Sequence, residues 1–296
     1  MDTGFSSYYP LAQLIYFVSV LSVTMFIMNP LFLIISFICA SVYILYSFGI
    51  SRLLHMLSLT IITSIMIIII NPVISHKGIT KLFILPDGNA MTMEALIFGI
   101  GAAIMLSAVM AWFYSINRIF TSDRVIWVFG RISPKLGLFL SMTMNFIGKF
   151  RIRLKQVRAA LYPLGRDISS GKKTKRLRNG IRILSIMIQW SLENSVDTAD
   201  SMKSRGYGTA KRTFYSVFRP RARDIIVIIF SIIISAGIFV LHKSGAADYS
   251  YYPYFELVIN SAADILCFVS YLMLCLMPLI IDFREDCHWK YIRSGI

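Results

Sequence analysis

The chain has 296 residues, 56% of them hydrophobic, a mean hydropathy of +0.68, and 30 Lys+Arg against 15 Asp+Glu. A soluble domain is nearer about 25% charged; the 15% found here, with apolar runs as long as a bilayer is thick, argues against a soluble enzyme and for a polytopic membrane protein. Spread over a soluble surface, +15 would point to nucleic acid, but 23 basic and 6 acidic residues lie between Asn117 and Asp224, leaving a near-neutral remainder.

Taken in chain order, the apolar runs Leu11–Met28, Leu31–Phe48, Leu53–Ile70, Met93–Ile116, Ile225–Leu241 and Leu257–Ile281 reach or approach the roughly 20 residues of a spanning helix. Met1–Pro10 lacks a basic n-region and a small-residue cleavage site, so the first run is expected to stay in the mature protein. Asn29-Pro30 reads as a tight turn, Asn71-Pro72 as the end of the third helix, and Pro86–Asn89 as a turn before the fourth. With the N-terminus inside, 27 of the 30 basic residues fall on the cytoplasmic side and only Lys77, Lys81 and Lys243 outside, which gives an N-in, C-in topology by the positive-inside rule. The expected organisation is residues 1–116 as four membrane helices, 117–224 as a cytoplasmic or membrane-surface block, and 225–296 as C-terminal membrane helices.

In the fourth run Ala95, Gly99, Ala103, Ser107 and Ala111 recur every four residues, a small-xxx-small face that lets helices approach closely in lipid. It serves either packing within the chain or docking of another membrane protein. The four cysteines, Cys39, Cys267, Cys275 and Cys287, form no CxxC pair and give neither a disulfide framework nor a zinc site.

The central block changes period. Over 134–165 a long helix is expected, with Phe146, Phe150, Leu154, Val157 and Leu161 on one face and Arg151, Lys155 and Arg158 on another, ended by Pro163 and Gly165. A basic loop, Gly171–Gly180, precedes a second helix over 181–206, with Leu184, Ile188, Ser191, Ser195, Ala199 and Met202 on one face and an acidic stripe of Glu193, Asp197 and Asp200. That stripe either pairs with Arg151, Lys155 and Arg158 where the helices cross or is solvated, with pairs worth under about 1 kcal/mol each. The second helix closes at Ser204-Arg205-Gly206, where glycine suits a left-handed cap and the cations complement the dipole.

The Met202-x-x-Arg205-Gly206-Tyr207-Gly208 run at the end of an amphipathic helix, followed by Lys211-Arg212-Thr213 and an apolar helix, resembles the transmembrane T component of energy-coupling factor (ECF) transporters, the EcfT/CbiQ family. Tyr9-Pro10-Leu11, the Asn29-Pro30 turn, Asn145-Phe146-Ile147 and the order of elements over about residues 8–242 are similar to it as well; the last helix is an addition to that pattern. The family carries two Ala-Arg-Gly-type motifs at the ends of two coupling helices. The second matches Ser204-Arg205-Gly206, and the first falls at Pro163-Leu164-Gly165-Arg166, where the glycine is kept and the arginine is missing or displaced. The resemblance implies a non-catalytic subunit of a vitamin or transition-metal importer. Two cytoplasmic ABC ATPases, holding ATP and magnesium, would grip the helix ends, and a membrane-embedded S component would capture the substrate. It also implies residence in the cell membrane of a prokaryote and no cofactor on this chain.

Other chemistries are poorly served. Gly165 with Gly171-Lys172 has the wrong spacing for a phosphate-binding loop, and Lys173 replaces its Ser/Thr. The four histidines form no HExxH pair, and the Lys172–Arg178 cluster lacks the interleaved aromatics of a nucleic-acid site. The alternative is a stand-alone secondary transporter or channel-like permease, for which Glu256, Asn260 and Asp264 on the last helix are the polar candidates. The reading is an all-α, polytopic helical membrane protein of about 5–6 transmembrane helices with a coupling domain of long amphipathic helices.

Overall fold

The computed structural model describes residues 4–75, 78–84, 90–168, 172–209, 218–253, 256–257 and 262–294. Pro86–Asn89, Lys77, Lys211-Arg212-Thr213 and Asn260 lie outside them, as do the side chains of Lys81 and Glu256. The chain divides into two compact units, one comprising Met1–Thr121 with Phe218–Ile296, the other Ser122–Val217.

The first unit is a helical bundle. Its helices are α1 (Pro10–Phe26), α2 (Pro30–Phe48), α3 (Ile50–Ile74), α4 (Met93–Ile119), α8 (Ala222–Lys243) and α9 (Ala262–Ser294); β1 (Lys81–Ile84) pairs antiparallel with β2 (Ala90–Thr92), and β3 (Tyr249–Ser250) with β4 (Glu256–Leu257). Among the described residues five helices, α2, α3, α4, α8 and α9, are long and apolar enough to cross a membrane, so the chain is a multi-pass membrane protein. At 17 residues, α1 is about 26 Å long, slightly short of the roughly 30 Å hydrocarbon core.

The turn at Asn29-Pro30 does two jobs. The Asn29 Oδ1 accepts from the Leu31 N–H at 3.0 Å and caps α2, with Pro30 preset at its first position, while its Nδ2 donates to the Ala247 carbonyl at 3.1 Å. The β3 end of the bundle is thereby tied to the α1–α2 turn, and Tyr251 adds a bond from its hydroxyl to the Met28 carbonyl at 2.8 Å. Burial pushes the Tyr251 phenol up to about 12. Gly101 makes room for it: a Cβ there would meet the Tyr251 hydroxyl at 2.7 Å. Asp264 belongs to the same junction. It is buried and accepts from the Ala247 N–H at 2.8 Å, holding a turn in which Ala247 has φ +56°.

At the other end the 3-10 turn Gly4–Ser7 is bound by α9: the Phe5 N–H donates to Asp282 at 2.6 Å, and Asp282 also accepts from the Ser47 hydroxyl at 3.0 Å. Asp224, buried in the first turn of α8, accepts from the Arg221 N–H at 2.7 Å and from the Tyr9 N–H at 3.3 Å. Arg223 lies over the Tyr8 ring, 4.5 Å from its centroid.

The core is aromatic and carries a polar thread. Tyr16, Tyr43, Trp112 and Tyr271 are fully buried together. Thr24 meets the Tyr271 hydroxyl at 2.7 Å and Ser36 at 3.2 Å, and the Trp112 indole N–H donates to Ser36 at 3.0 Å. These bonds join α1, α2, α4 and α9 where lipid and side chains offer no water to compete. The last helix therefore supplies core residues, Cys267, Tyr271, Leu274 and Cys275 among them.

Ala95, Gly99, Ala103, Ser107 and Ala111 are all buried. Gly99 would place a Cβ 3.3 Å from that of Asn71 and 3.6 Å from the Ile68 Cα, and the Ser107 and Ser64 hydroxyls meet at 2.8 Å. This part of the small-residue face is used for packing α4 against α3, which run antiparallel.

Candidate coupling site

The second unit contains α5 (Ser122–Ile132), α6 (Pro134–Leu161) and α7 (Lys173–Ser204). α5 is missing from the sequence reading. Its signals are a Ser122-Asp123 start and glycines at 130 and 137: a Cβ on Gly137 would lie 2.5 Å from the Gly130 Cα, so the two helices touch backbone to backbone. Pro134 opens α6 at the first helical position, after Ser133.

The second helix begins at Lys173, not near 181. Lys, Arg and Leu favour helix, and one glycine, Gly180, does not outweigh them. The extension puts Asn179 on the same face as Ile183, Met187 and Trp190; the first three are buried. Trp190 stacks on Phe146 of α6, centroids 5.6 Å apart and planes at 18°, and Arg153 sits over the Trp190 ring at 5.9 Å.

That stacking sets the register of the α6–α7 hairpin, and the register explains the charges. Beyond Trp190, α7 runs alongside the first half of α6, where Phe139, Met142, Thr143, Asn145, Phe146 and Lys149 line a groove of about 420 Å³ with Asn194, Ser195 and Thr198. The acidic stripe therefore lies toward the opposite end of α6 from Arg151, Lys155 and Arg158. Glu193, Asp197 and Asp200 are exposed, as are Arg151 and Lys155, and among the described residues no ion pair joins the two stripes. Arg158 instead donates side-on to the buried Asp167, Nε to Oδ1 at 3.0 Å and Nη2 to Oδ2 at 3.1 Å. This carboxylate raises the Arg158 pKa further above its ordinary value. The Asp167 carbonyl accepts from Asn179 Nδ2 at 3.0 Å, so the turn after α6 is fastened to both helices.

The two helix ends share one backbone design. At the end of α6, the Gly165 N–H donates to the Tyr162 carbonyl at 3.0 Å and the Arg166 N–H to Leu161 at 3.1 Å, with Gly165 at φ +64°. At the end of α7, the Gly206 N–H donates to Lys203 at 2.9 Å and the Tyr207 N–H to Met202 at 3.0 Å, with Gly206 at φ +79°. Both are left-handed glycine closures in which the residue after the glycine returns to the carbonyl five residues before its own position. In this register Pro163 corresponds to Ser204, Leu164 to Arg205 and Arg166 to Tyr207. Leu164 and Tyr162 are each 65% exposed, and Lys203, Ser204, Arg205 and Tyr207 are exposed as well.

α7 has a second apolar face, opposite the one bearing Trp190. Leu177, Ile181, Leu184, Ile188, Leu192 and Val196 step along it, each more than half exposed.

No family model matches the chain. It is 30% identical over 112 residues to the energy-coupling factor transporter transmembrane protein EcfT of Staphylococcus aureus, covering 38% of this chain and 42% of that protein. To the protein of the same name from Lactococcus lactis subsp. cremoris it is 32% identical over 102 residues, covering 34% and 38%. The matched stretch thus spans about two fifths of the relatives' own length. Over that stretch the chain is similar to the EcfT transmembrane proteins, the family its coupling-helix motif resembles.

Proposed function

We propose that this chain is the transmembrane T subunit of an ECF-type importer in a prokaryotic cell membrane, both termini cytoplasmic. It transmits the motion of two cytoplasmic ABC ATPases to a membrane-embedded, substrate-binding S subunit, for uptake of a vitamin or a transition-metal ion. ATP and magnesium belong to the ATPases; this chain binds no cofactor and performs no catalysis.

The observation that carries the reading is Arg205, exposed at the end of a 32-residue helix and followed by a glycine closure. A guanidinium there is a planar, permanently charged fork that can grip a carboxylate or backbone carbonyls in a groove, which a lysine reproduces poorly. At about 1.5 Å per residue, α7 is a lever roughly 48 Å long. Its outer stripe from Leu177 to Val196 is the face we assign to the S subunit. The small-residue face of α4, partly taken up by α3, serves the bundle.

The test is co-purification. The native chain is expected to bring down two ATPases, and Arg205→Glu to reduce their recovery at least tenfold without changing thermal stability, because the side chain is exposed. Full assembly and uptake with Arg205→Glu would overturn the assignment.

A further inference from the structure

We infer that the two coupling-helix ends fit chemically different grooves, an apolar one for the α6 end and an acidic one for the α7 end, so that the ATPase pair is engaged in a single orientation. This rests on the T-subunit reading and says which partner surface each end takes.

The backbone at the two ends is the same: each glycine is left-handed, and the same two N–H groups return to the same two carbonyls. The difference lies in the side chains this common frame presents. Before the glycine stand Leu164 at one end and Arg205 at the other; three before it, Tyr162 and Lys203; after it, Arg166 and Tyr207. One tip leads with an aromatic and a leucine, and its single cation, Arg166, follows the glycine. The other leads with two cations and is followed by an aromatic. A groove complementary to one is mismatched to the other at all three positions.

Each mismatch is penalised by desolvation. If Leu164 entered an acidic groove, a carboxylate would be desolvated with no partner; if Arg205 entered an apolar groove, a guanidinium would be stripped of water with nothing to pair. Arg158 does not make good the missing cation at the α6 end, because its Nε and Nη2 are bonded to Asp167, whose carboxylate offsets its charge. The same clamp, with the Asn179 bond, holds the turn in shape before docking, so little ordering is lost on binding.

The experiment uses the complete complex, with the exposed Cys287 changed to alanine and one cysteine placed after each glycine, Arg166→Cys or Tyr207→Cys, followed by a short bismaleimide cross-linker. The expected result is that the two cysteines capture different ATPase polypeptides, each with at least tenfold preference, and that Leu164→Arg lowers capture at position 166 at least tenfold while Leu164→Met leaves it within twofold. An intact complex in which both cysteines capture both ATPases within twofold, or in which the ATPases are two copies of one polypeptide, overturns the inference and leaves the T-subunit reading standing. Unchanged capture with Leu164→Arg does the same. Failure of any ATPase to co-purify with the native chain overturns both.

Discussion

Asp167 organises the α6 end without belonging to any motif. It is buried, binds Arg158 through two bonds and offers its carbonyl to Asn179. Asp167→Ala is expected to free the turn: amide exchange over residues 161–168 should rise several-fold while exchange in α3 and α4 stays the same. Unchanged exchange in the turn would show that the glycine closure alone holds it. The closure of α7 at Arg205-Gly206 was legible in the sequence because a helix end, a cation and a glycine fall together there. Asp167 was not: one acid in a basic loop forms no pattern, and its role appears only once the chain reverses. Whether the acidic stripe pairs with Arg151, Lys155 and Arg158 or is solvated stayed open in the sequence for a related reason, since the periodicity of two helices fixes their faces but not the register between them.

Among the elements, α7 shows how periodicity can be ambiguous. The helix is apolar on two opposite sides, one bearing Ile183, Met187 and Trp190, the other Ile181, Leu184 and Ile188. Of these, the sequence reading names only the stripe of Leu184 and Ile188, which is the open one; the Phe146–Trp190 stack covers the other. Ile188→Arg, on the open side, is expected to lower co-purification of the S subunit at least tenfold and leave both ATPases bound. Loss of the ATPases instead would show that the substitution damages the lever. α5 was missed because its 11 residues are too short to span and the run of apolar residues on either side masks its amphipathic pattern. Its packing is nevertheless strict. Gly137→Ala would drive a methyl into the Gly130 backbone, so the unit should lose about 1–3 kcal/mol, read as a lower melting temperature and faster proteolysis between residues 122 and 168. A melting temperature equal to that of the native protein would mean that α5 shifts freely.

At the scale of the whole chain, the all-α membrane architecture and the interruption of the bundle by a basic insert were legible from hydropathy and charge alone, because both are long-range averages. What closes the bundle was not. Asp264, a polar candidate for a transport role in the sequence, fastens a turn, and the last helix fills the core. The topology makes a labelling prediction. Of the four cysteines, Cys39, Cys267 and Cys275 are buried and Cys287 is exposed, so a membrane-impermeant maleimide should label one site in inside-out vesicles and none in right-side-out ones. Labelling in right-side-out vesicles would invert the proposed orientation.

The polar thread through the core also sets a timetable for biogenesis. Thr24 and its partner Tyr271 are 247 residues apart, so at about 5–20 residues per second the ribosome needs at least roughly ten seconds to deliver the second after the first. Throughout that interval the early helices sit in lipid with their polar side chains still awaiting the last partner. They can wait because they satisfy themselves locally: Thr24 donates to the Val20 carbonyl at 2.7 Å, Ser107 to Ala103 at 2.8 Å and Ser115 to Ala111 at 3.2 Å. The early helices can thus be inserted one at a time, and the bond that joins α1 to α9 closes only when Tyr271 arrives.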